Sequence, residues 1–261
     1  MQFSIYKKPE AKVEIMKLYE KKLASYTIKT SHLYVDTFAG KTHVIVMGDR
    51  SKPPVVVLHG VNAGAPFALE AVQNLEKKYA IYAIDTIGQT TKSAETKLPL
   101  KGDAYARWLL ETMDKIGIEK ANIVGISYGA FLLQKLMVYQ PQKITKAIFI
   151  VPSGFVNIGR IKLVRKLIYP LTKFFLTKKD KHLSQFMDAF YQTQDEANTL
   201  FQRSILLGVK MSYRRPPLLK AKEVQNLEVP VYAIVAENDI FFPSNKTIKK
   251  CNELFKGFKG Y

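Results

Sequence analysis

The chain has 261 residues, 47% of them apolar, with 15 Phe and 14 Tyr. It can therefore bury a large core, as one domain or one domain with an insertion, and it is not a disordered segment. One cysteine, Cys251, excludes an internal disulfide framework. The net charge is +18, but no nucleic-acid motif accompanies it, so a lysine-rich solvated surface and no nucleic-acid partner are expected.

The first 22 residues are charged throughout and lack the apolar run of a signal peptide. No apolar stretch reaches membrane-spanning length, so a cytoplasmic location is expected. Residues 9–24 place Val13, Met16, Leu18 and Leu23 among lysines and glutamates, which predicts a surface helix. Alternation over Ile28–Phe38 and Thr42–Met47 predicts a leading antiparallel pair. Pro54–Leu58 is a continuous apolar run, the mark of a strand buried on both faces. The loop His59–Gly64 and a helix over 66–77 follow.

Tyr79–Ile84 reads as a strand ending at Asp85, and Asp103–Ile116 as a helix with Trp108, Leu109 and Met113 on one face. Asn122–Ile126 is a buried-type strand that turns at once into the helix Tyr128–Tyr139. The join spells Gly125-Ile126-Ser127-Tyr128-Gly129. Glycines two residues to either side let backbone pass close, so this spacing can hold a serine in a sharp strand-to-helix turn. Its oxygen then stands at a helix N-terminus, where developing negative charge is favoured.

Ala147–Val151 is another buried run, after which the rhythm breaks. Residues 155–222 are helical in pattern and basic, with 14 Lys+Arg against 4 Asp+Glu. Val229–Val235 restores the sheet and Pro243–Leu254 reads as a helix. Strand–helix alternation implies an α/β fold with a doubly wound, mostly parallel sheet. The interruption implies a helical lid over the carboxyl ends of the strands, where open sheets bind ligands. The division expected is 1–154 and 223–261 for the two parts of the core, and 155–222 for the lid.

With His59-Gly60, Asp85 with Gly88 and Ser93, Gly125–Gly129 and Ala236–Asp239 in this order, the chain resembles the α/β-hydrolase family, in its lidded carboxylesterase-like branch. The resemblance implies hydrolysis of a carboxylic ester or thioester through an acyl-enzyme, with no metal or organic cofactor. Carried over, Ser127 is the nucleophile and Asp239 the acid that orients a histidine. The backbone N–H groups of Val61 and Tyr128 form the oxyanion hole. Asp85 and His59 are expected to brace loops.

The family's order is serine, acid, histidine, yet His32, His43, His59 and His182 all precede Asp239. The expectation is that the final strand, the histidine loop and the closing helix are missing. If so, an apolar patch should be left open where that helix would pack. The alternative is a protein of this fold that binds an apolar ligand or partner without turnover.

Within the lid, Asn157–Leu176 interleaves Ile161, Val164, Ile168 and Leu171 with Lys162, Arg165 and Lys166. It reads as a helix whose apolar side covers an acyl pocket, or as one that touches an anionic membrane surface. Leu183–Val209, with Phe186, Phe190, Tyr191, Phe201, Ile205 and Leu206, is expected to line a pocket for an apolar acyl group. Arg214-Arg215 is a weak candidate anchor for an acidic substrate group.

Overall fold

In the computed structural model, residues 4–190, 196–212 and 214–261 are described. Eight strands form one sheet: β1 (Thr30–Thr37), β2 (Gly40–Met47), β3 (Pro54–Leu58), β4 (Ala80–Ile84), β5 (Ala121–Ile126), β6 (Ile144–Ile150), β7 (Val231–Ile234) and β8 (Lys259–Gly260). Their order is β1-β2-β4-β3-β5-β6-β7-β8. The pairings β1–β2 and β2–β4 are antiparallel, and every pairing from β4 to β8 is parallel.

The continuous apolar runs have their cause here. Along β3, Val56 and Leu58 enter one core while Val55 and Val57 enter another. A strand with helices over both faces has no side left for polar residues. The first core packs α3 (Ala104–Lys115) and α4 (Tyr128–Tyr139) onto the sheet through Trp108, Phe131 and Phe149. The second packs α1 (Pro9–Ala24) and α2 (Ala65–Leu69) on the opposite face through Tyr19 and Leu69.

Three expectations shift. The helix over 66–77 is a short α2 followed by a 3-10 turn at Gln73–Lys77. In α1 it is Ile15, Leu18, Tyr19 and Leu23 that are buried, while Val13 is exposed. The final strand is expected from the sequence to be missing, but Lys259 and Gly260 pair in parallel with Tyr232 and Ala233 of β7.

Between β6 and β7 the described chain has no strand. It forms α5 (Arg160–Leu163), a π-helical turn at Val164–Ile168, α6 (Tyr169–Thr177), α7 (Asp180–Met187), α8 (Glu196–Gly208) and α9 (Ala221–Val224). Pro170 lies just past the π turn. Its ring removes one helical donor and crowds the preceding turn, and the wider turn upstream accommodates that. The insertion has a core of its own, built on Leu167, Phe174, Leu183, Phe186, Met187 and Leu206. α8 also packs on α1, where Gly208 lies so close that an added Cβ would stand 2.7 Å from that of Ala11.

On the α1/α2 face of the sheet, Ile126, Ile150 and Ile234 share one register line across β5, β6 and β7. Ile126 and Ile150 are half-buried and Ile234 is 47% exposed.

Candidate active site

Ser127 lies between β5 and α4 with φ 49° and ψ −108°, a conformation that costs a non-glycine residue about 1–3 kcal/mol. The surroundings over-determine it. Ser127 N–H donates to Ile150 O at 2.9 Å, and its carbonyl accepts from the amides of Ala130 (3.1 Å) and Ser153 (3.2 Å). Ser153 Oγ donates to the same carbonyl at 2.9 Å. The glycines act by what they lack. A Cβ on Gly125 would stand 2.7 Å from Ala130 Cα and Gly129 O, and one on Gly129 would overlap Leu58 O.

The loop after β3 closes against this turn, with the Cβ position of Gly60 3.7 Å from Ser127 Cβ. Among the described residues the N–H groups of Val61 and Tyr128 have no acceptor. The next residue, Asn62, is held at φ 53°. Its amide donates to Gln89 Oε1 and its carbonyl accepts from Thr90 Oγ1 at 2.8 Å.

His59 braces this loop from beneath. It is fully buried; Nε2 accepts the amide of Thr86 at 2.9 Å, and Nδ1 contacts Gly60 O at 2.6 Å. The Gly64 amide also points at Nδ1, at 3.2 Å; the two shorter contacts put the proton on Nδ1, which donates to Gly60 O, and leave neither nitrogen for catalysis. Burial holds the imidazole below its ordinary pKa.

Asp85 ties the same loop to β2. Its Oδ1 accepts the amide of Ala65 at 2.8 Å. Its Oδ2 accepts from Tyr19 Oη and contacts His43 Nδ1, both at 2.8 Å. Burial pushes the carboxyl up, but the hydrogen bond and charge of His43, then His59 and the Ala65 amide, outweigh it and leave Asp85 below its usual range. His43 in turn meets His32 Nδ1 at 2.8 Å. His182, in α7, contacts Gln185 at 3.2 Å. All four histidines are thus engaged away from Ser127.

Asp239 follows β7, at the carboxyl end of the sheet that Ser127 shares. Two strand spacings, about 10 Å, separate the ends of β5 and β7. Its Oδ1 accepts the amides of Phe241 (2.7 Å) and Phe242 (3.0 Å). It caps its own turn and not α10 (Ser244–Leu254), which begins five residues on. The other oxygen, Oδ2, has no partner among the described residues. Beside it, Phe190 of the insertion lies 4.8 Å from the Phe241 ring.

The acyl-pocket lining expected from α7 and α8 needs correcting. Phe201 and Ile205 are buried against α1 and the N-terminal segment, with Ile5, Tyr6 and Ile15. Phe186 and Leu206 belong to the insertion's own core. Tyr191 lies outside the described residues. Phe190, Ile240 and Phe241 remain as the aromatic and aliphatic surface near Asp239. Arg214 and Arg215 are exposed.

Sequence reasoning missed Ser153, Gln134 and Val151. Gln134 Nε2 donates to Ser153 O at 2.9 Å and so fixes the residue that holds Ser127. Val151, a β-branched residue, sits at φ 41° directly after β6. A short polar stretch after a buried strand was the one available hint. A groove of about 700 Å³ is lined by Gln134, Val138 and Tyr139 on the later turns of α4, away from Ser127.

This fold and turn are those of a hydrolase scaffold, and the comparisons agree. The alpha/beta hydrolase fold family matches residues 53–218, and the chain belongs to it. The uncharacterized carboxylesterase nap of Bacillus subtilis (strain 168) is 30% identical over 135 residues, 52% of this chain. The chain matches only 45% of that relative's length. Carboxylesterase YbfK of the same strain is 22% identical over 96% of this chain and 86% of its own. The crystal structure of naproxen esterase (carboxylesterase NP) from Bacillus subtilis superposes with TM-score 0.83 at 19% identity, over 98% of this chain and 90% of that one.

Proposed function

We propose that the chain is a carboxylesterase-like serine hydrolase that cleaves carboxylic esters or thioesters through an acyl-enzyme on Ser127. The observation that carries this reading is Ser127 held at φ 49° against the Gly60 loop, with the amides of Val61 and Tyr128 free of any acceptor among the described residues. Both relatives named above are carboxylesterases.

In this reading Ser127 Oγ attacks the ester carbonyl carbon and its proton passes to a base. The carbonyl oxygen gains negative charge and is met by the two amides, each worth about 3–4 kcal/mol in the transition state. The tetrahedral species collapses, the C–O or C–S bond breaks, and the protonated alcohol or thiol leaves. Water repeats the sequence on the acyl-enzyme and releases the acid. Asp239, with Oδ2 unengaged, orients the base. The relay requires a histidine between Ser127 and Asp239, which residues 1–261 do not supply, and a serine without a base is a weak nucleophile. The small apolar surface of Phe190, Ile240 and Phe241 suits an apolar acyl group.

Two measurements test this. With imidazole added to stand in for the base, a fluorophosphonate is expected to label the chain at Ser127 and to leave Ser127→Ala unlabelled; labelling that persists in the variant sinks the assignment. Added imidazole, standing in for the base, is expected to raise p-nitrophenyl ester hydrolysis above its own background in the wild type and not in Ser127→Ala.

A second reading follows from the engagement of all four histidines elsewhere. It is a protein that binds an apolar ligand or partner at this site without turnover. Ligand-induced thermal stabilisation with no Ser127-dependent hydrolysis, even with imidazole, would favour it.

A further inference from the structure

The helix that runs from α5 through the π turn into α6 has two sides of different fate. Leu167 and Phe174 are buried in the insertion's core, with Leu163, Leu171 and Phe175 partly buried around them. The outer side carries Ile161 (75% exposed), Val164, Ile168, Tyr169 and Leu176 (77% exposed). Ile161, Val164, Ile168 and Tyr169 lie within about two turns and Leu176 two turns further on, so they form one strip along the helix.

Beside the strip stand Lys162, Arg165, Lys166 and Lys173, all exposed, and the turn that follows adds Lys178, Lys179 and Lys181. Among the described residues none of these seven makes an ion pair. Elsewhere seven described lysines are ion-paired, among them Lys12 with Glu95, Lys92 with Glu20 and Lys143 with Asp114. Lys173 lies over the Tyr169 ring and Lys178 over that of Phe175, so an exposed apolar strip flanked by cations with no described anionic partner is poorly matched to water on one count and to a neutral partner on the other.

We propose that this outer face docks on an anionic lipid bilayer, with Ile161, Val164, Ile168, Tyr169 and Leu176 entering the headgroup layer. The lysines and Arg165 then meet lipid phosphates, and their long stems allow the charge to stay at the interface. No helix is long and apolar enough to cross a membrane among the described residues, so the contact is with the surface plane. A second copy of the chain is a poorer occupant, because self-association would set one unpaired basic row against another. The docked face belongs to the same insertion whose Phe190 packs on Phe241. The proposal stands whether or not Ser127 reacts, because it concerns binding alone.

The test is vesicle flotation with the full chain, comparing phosphatidylglycerol/phosphatidylcholine vesicles with pure phosphatidylcholine. The expected result is at least about tenfold stronger partition to the anionic vesicles, most of it lost at high salt. Lys162→Glu/Lys166→Glu/Lys173→Glu is expected to abolish the anionic preference. Ile161→Ser/Leu176→Ser is expected to weaken binding while keeping that preference. All five positions are exposed, and unchanged circular dichroism and melting confirm folded variants. Failure to bind anionic vesicles, equal binding to both lipids, or variants that bind like wild type would overturn the proposal. So would a concentration-dependent dimer that Ile161→Ser/Leu176→Ser dissolves, which would give the strip to a second copy.

Discussion

The sheet around Ser127 and the helical insertion between β6 and β7 are built on opposite terms. Around Ser127, backbone passes backbone so closely that glycines at 125 and 129 are required, and three non-glycine residues, Asn62, Ser127 and Val151, hold positive φ. In the insertion a π turn interrupts the helix, Gly159 has nothing within 4 Å of where its Cβ would lie, and large apolar side chains face outward. The contrast teaches where each kind of work is done. Donors that meet a developing charge must be fixed beforehand, because reorganising them during reaction would consume the gain. A surface that admits or contacts apolar material needs area and tolerance.

The largest effect that would sharpen this contrast is expected from Gly129→Ala. Its methyl would overlap Leu58 O in the middle of the parallel sheet, so it should cost about 3 kcal/mol or more. Urea unfolding measures it, and a wild-type midpoint would break the claim that the turn is close-packed backbone. His59→Gln comes next. Losing the bond to Gly60 or to Thr86 leaves a buried backbone group unpaired, at about 1–3 kcal/mol.

The same variant tests a pH dependence. Burial depresses the folded pKa of His59, and burial and then Lys92 depress that of His32. Between the unfolded value, about 6.5, and the lower folded values, the unfolded chain binds more protons. The stability they contribute is therefore present above pH 6.5 and lost as pH falls through the folded pKa values. Asp85, also depressed, adds a second loss that begins only below its unfolded value of about 4. Melting temperature is expected to fall from pH 7 to pH 5, with a shallower slope in His59→Gln.

Ser153→Ala removes one hydrogen bond to the Ser127 carbonyl, about 1 kcal/mol of stability. It should slow fluorophosphonate labelling without moving the site of labelling. The smallest effect is expected in the insertion, where Gly159→Ala should lie within about 0.5 kcal/mol of wild type. A large loss there would show the insertion to be packed as tightly as the turn.

Much of the fold was legible because burial on both faces leaves a trace that survives without context. Pro54–Leu58 and Asn122–Ile126 are apolar without alternation, and each became a central strand. The serine turn was legible because two glycines at fixed spacing report a backbone constraint directly. Less visible was anything set by tertiary partners. Phe201 and Ile205 had the composition of a pocket lining, and only the seating of α8 on α1 decides that they are core. Ser153 and Gln134 carry no pattern, since they matter only once β6 lies beside β5. The π turn likewise shows only as one proline in a helical stretch.

β7 spans only four residues, Val231–Ile234, and Ile234 is 47% exposed. β5, by contrast, spans six residues and is clasped between β3 and β6. Local opening follows such differences in protection, so amide deuterium uptake should be earlier in β7 than in β5. The loop of Asp239 hangs from β7, while Ser127 hangs from β5. Partial unfolding would thus unseat the carboxylate first and leave the serine turn intact, a molecule that still presents Ser127 when the group opposite has lost its place.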